Sequence, residues 1–413
     1  MSTLLMVVAG VASAADQPPI DCTVARADAV LSRCPVVRRA SEFGHCLARS
    51  DIDRYSCIVM DADITFCDDE PPMPITAWFD SSGRTLDCAG GTIDHGWGRF
   101  GAIDETDVTP VGVNLPLIRF VDDRSLSAIT VRNCTLRGTR HLGVQATRFF
   151  GGQLGGDGVL GPDEALPLGH HDLTFTDLLI QDVEVGFYFG NFSRDVTVER
   201  VTIEATERIG LYSEAGTHRL RVIDSVFSGN RTREALALDS TYDSEVSGTL
   251  FVNNREGAIN LYRNCGELKG VVCPVVRPTP ASGNRIVGNA FVDNGVAGVR
   301  VASRQGRNHT LGWCADLDGQ AGKFTDTAED NVVADNLFVC DEGVALAVMD
   351  GPNLVSGNRV VARERCVPIE VSTGGLGRAG ERLLDGLEVR DNVLDATRPP
   401  RLRNIGPGVV YEE

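Results

Sequence analysis

Glu214 and Asp239 each stand near the end of a short alternating segment, IGLYSEA (209–215) and EALALDS (234–240). If the chain lays these segments side by side, the two carboxyls lie ~5 Å apart. At that distance one carboxylate can attack an anomeric carbon while the other donates a proton. Such closeness also pushes one pKa up, as a general acid requires. The same pair can instead share a Ca²⁺ ion that grips a uronate. A third segment, GAINLYRN (257–264), offers Asn260, Tyr262 and Asn264, and a fourth, AGVRVASR (297–304), offers Arg300 and Arg304. Tyr is capable of acid/base work, and Arg pairs a carboxylate bidentately. Together they suit removal of the C5 proton of a uronate, which leads to elimination or to epimerisation. Tyr188 and Tyr212 add rings that can pack on sugar. His170 and His171, in GHHD (169–172), supply imidazoles that titrate near neutral pH. The same set would also serve a protein that only binds glycans.

Composition narrows the partners. The net charge is −18, which argues against nucleic acid, because phosphate binding needs a basic surface. Lys269 and Lys323 are the only lysines. The start, MSTLLMVVAGVASAADQPP, has an apolar run followed by Ala12-Ser13-Ala14, which predicts a secretory signal peptide over 1–14. No later run reaches the ~18 apolar residues of a membrane span. The 12 cysteines agree with export to an oxidising compartment, secreted or periplasmic. Those from Cys22 to Cys88 predict a stapled N-terminal segment, and Cys265 with Cys273 is expected to close a loop.

These residues need a scaffold, and a repeat supplies it. A hexad, apolar at both ends with Asn, Asp, Ser or Gly between, reads VRNCTL (131–136), FTDLLI (175–180), VERVTI (198–203), VIDSVF (222–227) and VSGTLF (246–251). It continues as IVGNAF (286–291), VADNLF (333–338), VSGNRV (355–360) and VRDNVL (389–394). The short spacings cluster at 22–24 residues. After each later copy, from FTDLLI to VSGNRV, comes a second short alternating segment, such as VGFYFGN (185–191) or VPIEVST (367–373). A unit of this length cannot bury its own apolar face, but stacked units can.

The pattern resembles the right-handed parallel β-helix family, the pectate-lyase-like architecture, from Ile75 to Leu394, with TLDCAGGTI (85–93) like a first coil. The resemblance implies an all-β solenoid over 75–396, a cysteine-rich N-terminal cap over 15–74 and a C-terminal tail over 397–413. It also implies activity on polysaccharides. GHHD resembles the D-P-H-D motif of β-helix mannuronan epimerases only loosely, lacking the leading Asp and the Pro. The paired aspartates, Gly-His-Gly and Arg-Ile-Lys of polygalacturonases are absent.

Stacked in register, the second strands predict inward pairs from Phe187/Phe189 to Ile369/Val371, with Ser213 as the one polar break. One outward row runs Tyr188, Tyr212, Ala237, Asn260, Arg300, Ala347, Glu370. The other runs Gly190, Glu214, Asp239, Tyr262, Ala302, Met349, Ser372. Insertions after Thr147, Asn264, Arg304 and Thr373 leave just past these strands and are expected to wall a groove. The expected function is a secreted, monomeric lyase or C5-epimerase acting on an acidic polysaccharide. Glu214, Asp239, Tyr262 and Arg300 are its catalytic candidates, and Tyr188, Tyr212, Asn260, Asn264, Arg304 and His171 its substrate contacts. A glycoside hydrolase using Glu214 and Asp239, or a non-catalytic adhesin, is the alternative.

Overall fold

Every hexad turns the chain at its third residue. In the computed structural model, Asn133, Asp177, Arg200, Asp224, Gly248, Gly288, Asp335, Gly357 and Asp391 have φ between 47° and 68°. That left-handed region suits Gly and is tolerated by Asn and Asp, which explains the polar middle of the motif. The apolar ends then fall on two successive strands and face inward, as with the buried pairs Ile286/Phe291 and Val333/Phe338. The structure describes residues 34, 36–52, 55–96, 115–121, 124–147, 169–190, 192–214, 216–263, 279–307 and 325–412.

Each coil gives one strand to each of three parallel sheets. His218–Ile223, Val226–Ser228 and Leu236–Asp239 form one coil. They pair in parallel with Arg194–Glu199, Thr202–Glu204 and Ile209–Ser213 before them. After them come Glu245–Ser247, Leu250–Val252 and Ile259–Tyr262. This is the right-handed parallel β-helix that the hexads imply. Stacking starts upstream of Ile75, where Val37–Arg39, Ser56–Val59 and Ile75–Phe79 already pair in parallel.

The core fills the coil axis. Phe227, Phe251, Phe291 and Phe338 stack with centroids 5.0, 5.1 and 4.7 Å apart. The inward pairs are buried as expected, and Ser213 is satisfied by Thr241, hydroxyl to hydroxyl at 2.7 Å. From VIDSVF onward the fourth hexad residue builds a buried polar ladder. Thr249 N–H donates to Asn289 Oδ1 (3.0 Å), Asn289 N–H to Asn336 Oδ1 (2.9 Å), and Asn336 N–H to Asn358 Oδ1 (3.1 Å). Each Asn thus satisfies a turn N–H that no strand can reach. Asn336→Ala orphans the Asn289 N–H, so it is expected to cost about 1–3 kcal/mol. The check is a lower urea midpoint with an unchanged denaturant slope.

Disulfides join successive coils: Cys34–Cys57, Cys46–Cys67, Cys88–Cys134 and Cys340–Cys366. Cys22, Cys265 and Cys273 lie outside the described residues, as do Lys269 and Lys323. Of the four expected insertions, the one after Thr373 is described and forms 3-10 turns over Gly374–Leu384. The others begin just past third-sheet strands, as expected, and fall largely outside the described residues.

Candidate functional site

The outward face of the third sheet carries the predicted row in full. Tyr188, Tyr212, Ala237, Asn260, Arg300, Ala347 and Glu370 are successive Cα partners. The row extends to Gln145 and Arg119 at one end and to Arg401 at the other. Alongside it, Asp239 is registered with Tyr262. Glu214 sits against Gly190, where an added Cβ would come 3.1 Å from Glu214 Cγ.

Three tyrosine–carboxylate pairs hold this face. The Tyr188 hydroxyl donates to Glu214 Oε1, and that of Tyr212 to Asp239 Oδ2 at 2.7 Å. Both bonds run forward by one coil, so each predicted carboxylate anchors the tyrosine of the coil before it. The third runs backward: the Tyr262 hydroxyl donates to Glu234 Oε1 at 3.0 Å. Its ring folds back over Ala237 and packs with Val185 and Ile209 in an apolar cluster separate from the core. The small side chain at Ala237 leaves the space that Tyr262 fills. Glu234 escaped sequence reading because it precedes the strand, outside the alternation that begins at Leu236. Its Oε2 also accepts from Arg233 at 3.2 Å.

Two adjoining clefts open here. One, of about 290 Å³, is lined by Leu142, Val185, Tyr188, Ile209 and Tyr212 with Arg208, Arg233 and Arg304. The other, of about 270 Å³, shares Arg233 and Arg304 and adds Glu234, Glu256, Asn260, Tyr262, Arg300 and Arg307. Arg304 stacks its guanidinium 4.5 Å from the Tyr262 ring centroid. Among the described residues, neither the Arg300 nor the Arg307 guanidinium has a hydrogen bond or ion pair. Burial, and then the Arg307 charge, hold Arg300 below its ordinary pKa. Asn260 Oδ1 is buried in the same cleft with no donor among the described residues. Burial, then the charges of Glu234 and Asp239, push the Tyr262 phenol well above its usual range.

A buried acid fixes the mouth of the clefts. Asp326 accepts the N–H groups of Arg263 (2.6 Å) and Arg304 (2.9 Å), the points from which two insertions depart. Burial raises Asp326 to about 7. Nearby Asp350, bonded by the Ala328 N–H at 2.8 Å, is raised to about 8 by burial first and then by Asp326 and Glu329. Both folded values exceed the ordinary carboxyl value near ~3.9, so the folded state holds more protons between the two. Stability therefore falls as pH rises through that window. Burial lowers His218, which acts in the opposite sense below its ordinary value near ~6.5. From about pH 6.5 to 8.5 the acids act alone among these groups. The thermal midpoint is expected to drop across this range, and Asp350→Asn to flatten the drop.

The remaining candidates lie elsewhere. His171 begins a first-sheet strand, its Nδ1 2.7 Å from Asp172 Oδ2, and lines neither cleft. His170 is fully buried, with Nδ1 accepting the Leu126 N–H at 3.1 Å. Asn264 lies outside the described residues.

The family described as "Periplasmic copper-binding protein (NosD)" matches residues 128–339, just over half of the chain and most of the coils that carry this face. The chain belongs to the NosD family. With its disulfides, membership places the protein outside the cytoplasm, periplasmic or secreted. The chain is similar in structure to the Azotobacter vinelandii mannuronan C-5 epimerase AlgE4 A-module, with TM-score 0.48 and 11% identity over 91% of this chain and 100% of that one. It is also similar to the alginate lyase from Paenibacillus sp. str. FPU-7, with TM-score 0.42 and 12% identity over 81% and 99%. A third likeness is to the catalytic domain of a GH87 alpha-1,3-glucanase, with TM-score 0.39 and 10% identity over 91% and 66%. No curated protein matches the sequence.

Proposed function

We propose that the protein is an exported carbohydrate-active enzyme, a lyase or C5-epimerase, that takes an acidic polysaccharide along its third sheet. One observation carries this reading. On a chain of net charge −18, five arginines converge on two adjoining clefts, and Arg300 and Arg307 among them have no carboxylate partner among the described residues. A half-buried guanidinium that no described carboxylate pairs, beside the exposed Arg307, favours an anionic ligand. Arg300 pairs the uronate carboxylate, and the orphaned Asn260 Oδ1 accepts from a sugar hydroxyl. Neutralising the carboxylate acidifies C5–H. Tyr262 Oη then takes the C5 proton as its own proton passes to Glu234 Oε1. Burial, and then the charges of Glu234 and Asp239, oppose a free phenolate, so transfer of the phenol proton to Glu234 and the opposing Arg304 and Arg233 charges are needed for this step. The C5 electron pair then forms the C4–C5 double bond as the C4–O bond breaks and the leaving oxygen takes a proton from water, a lyase reaction; delivery of a water proton to C5 from the other face instead completes an epimerase reaction.

The carboxylates Glu214 and Asp239 each accept a tyrosine hydroxyl, so they serve this mechanism as anchors of Tyr188 and Tyr212. That takes support from a hydrolase built on them. The copper binding in the family description finds no matching donor set here. The described cysteines are in disulfides, Met60 and Met73 are core residues, the partly buried Met349 packs against the core, and among the described residues no three His, Cys, Asp or Glu side chains converge as metal ligands.

The test is calorimetric titration with polymannuronate, polygalacturonate and neutral dextran at two salt concentrations. Binding of an acidic polymer that weakens with salt supports the reading. Equal or tighter binding of dextran overturns it.

A further inference from the structure

The two clefts differ in charge and in wall chemistry, although they share Arg233 and Arg304. In the first, the other guanidiniums are already matched: Arg208 pairs with Glu184 at 2.9 Å, and the shared Arg233 with Glu234 at 3.2 Å. Unpaired positive charge remains in the second, on Arg300 and Arg307. The walls follow the same division. Leu142, Val185 and Ile209 line the first cleft, although side chains on the outer face of a sheet are ordinarily polar. They join the edges of the Tyr188 and Tyr212 rings, which stack with centroids 5.2 Å apart. Both phenols are turned to Glu214 and Asp239, so the rings are held and their hydroxyls engaged. A carboxylate placed against this wall would lose water, and the described cations there are already engaged, Arg208 and Arg233 by carboxylates and Arg304 by the Tyr262 ring, which is costly. An uncharged sugar carrying an apolar substituent would bury it there at a gain.

The distance between the sites suits one bound chain. The midpoint of the Tyr188/Tyr212 pair is three coils from that of Asn260/Arg300 in the registered row, or roughly 14 Å at ~4.8 Å per coil. A short oligosaccharide spans both.

We infer that the groove recognises an acidic heteropolysaccharide, with an uncharged acetyl-bearing sugar against Leu142, Val185 and Ile209 and a uronate at Asn260 and Arg300. This deepens, and rests on, the acidic-glycan reading above. The acetyl methyl packs on the aliphatic wall, and the carboxylate meets the unpaired guanidiniums. A homopolymer of uronates would force a carboxylate onto the apolar wall.

The test uses two oligosaccharides with equal numbers of carboxylates: one from hyaluronan, which alternates a uronate with an N-acetylated sugar, and one from polymannuronate. Wild-type protein is expected to bind the hyaluronan oligosaccharide at least 10-fold more tightly. Leu142→Gln, and independently Ile209→Asn with its melting profile checked, should erase that preference by weakening the hyaluronan oligosaccharide, while polymannuronate binds no more weakly than to the wild type. Arg300→Gln should weaken both ligands. Equal or tighter binding of polymannuronate by the wild type overturns the inference but leaves the acidic-glycan reading standing. An equal loss for both ligands in a folded Leu142→Gln protein also overturns it. Failure of both oligosaccharides to bind overturns the acidic-glycan reading and this inference with it.

Discussion

Arg300→Gln is expected to weaken binding of an acidic oligosaccharide by roughly 10- to 100-fold, because hydrogen bonds to charged groups contribute ~1.5–3 kcal/mol. The neighbours of Arg300 in the row are Asn260 and Ala347, and no carboxylate of a described residue takes its guanidinium. Burial and then the Arg307 charge work against its own charge, against the weaker pull of Glu234 and Glu370. Such a group is under-satisfied until an anion arrives, so its removal costs the free protein little and the complex much. The fold should survive, with an unchanged or slightly higher melting temperature. The salt dependence of binding should become shallower, since one cation fewer meets the ligand. A variant that binds as the wild type does, with the same salt slope, would remove Arg300 from the site.

Tyr262→Phe is expected to leave affinity within a few-fold and to lower turnover by about 10²- to 10⁴-fold, the range for loss of a positioned acid/base group. The ring keeps its place over Ala237 and under Arg304, so packing is preserved. Only the hydroxyl that donates to Glu234 at 3.0 Å is lost. Glu234 retains Arg233 as a partner. Glu234→Gln should lower turnover too, since it removes the acceptor for the phenol proton while keeping a similar shape. Full activity in Tyr262→Phe with loss in Glu214→Gln would instead favour carboxylate-pair hydrolysis.

Much of the scaffold was legible because the β-helix writes itself locally. The third hexad residue must turn left-handed, and from VIDSVF onward the fourth satisfies a buried N–H, so Asn, Asp and Gly recur where physics demands them. The first and sixth must fill the coil axis, which fixes the inward rows and hence the outward row from Tyr188 to Glu370. Register followed from alternation, since a slip of one residue would have exchanged the two faces. The partnerships across that face were less legible. Sequence suggests Glu214 beside Asp239, yet each carboxylate reaches a tyrosine one coil away, because a long Tyr side chain spans the inter-coil step. Glu234 and Arg233 precede their strand, and Leu142, Val185 and Ile209 break the alternation that would mark them as outward. Strand patterning carries no signal for such positions. His171 looked available for the groove from its place after an insertion, but the strand it begins belongs to the first sheet.

The most direct measurement follows the C5–H bond itself. Acidic oligosaccharide is incubated with the protein in deuterium oxide, and every product is read by NMR. The account predicts that C5–H is broken, seen either as an unsaturated uronate end or as deuterium at C5, and that Arg300→Gln and Tyr262→Phe suppress the signal. Shortened chains in which every C5 proton is retained would contradict it.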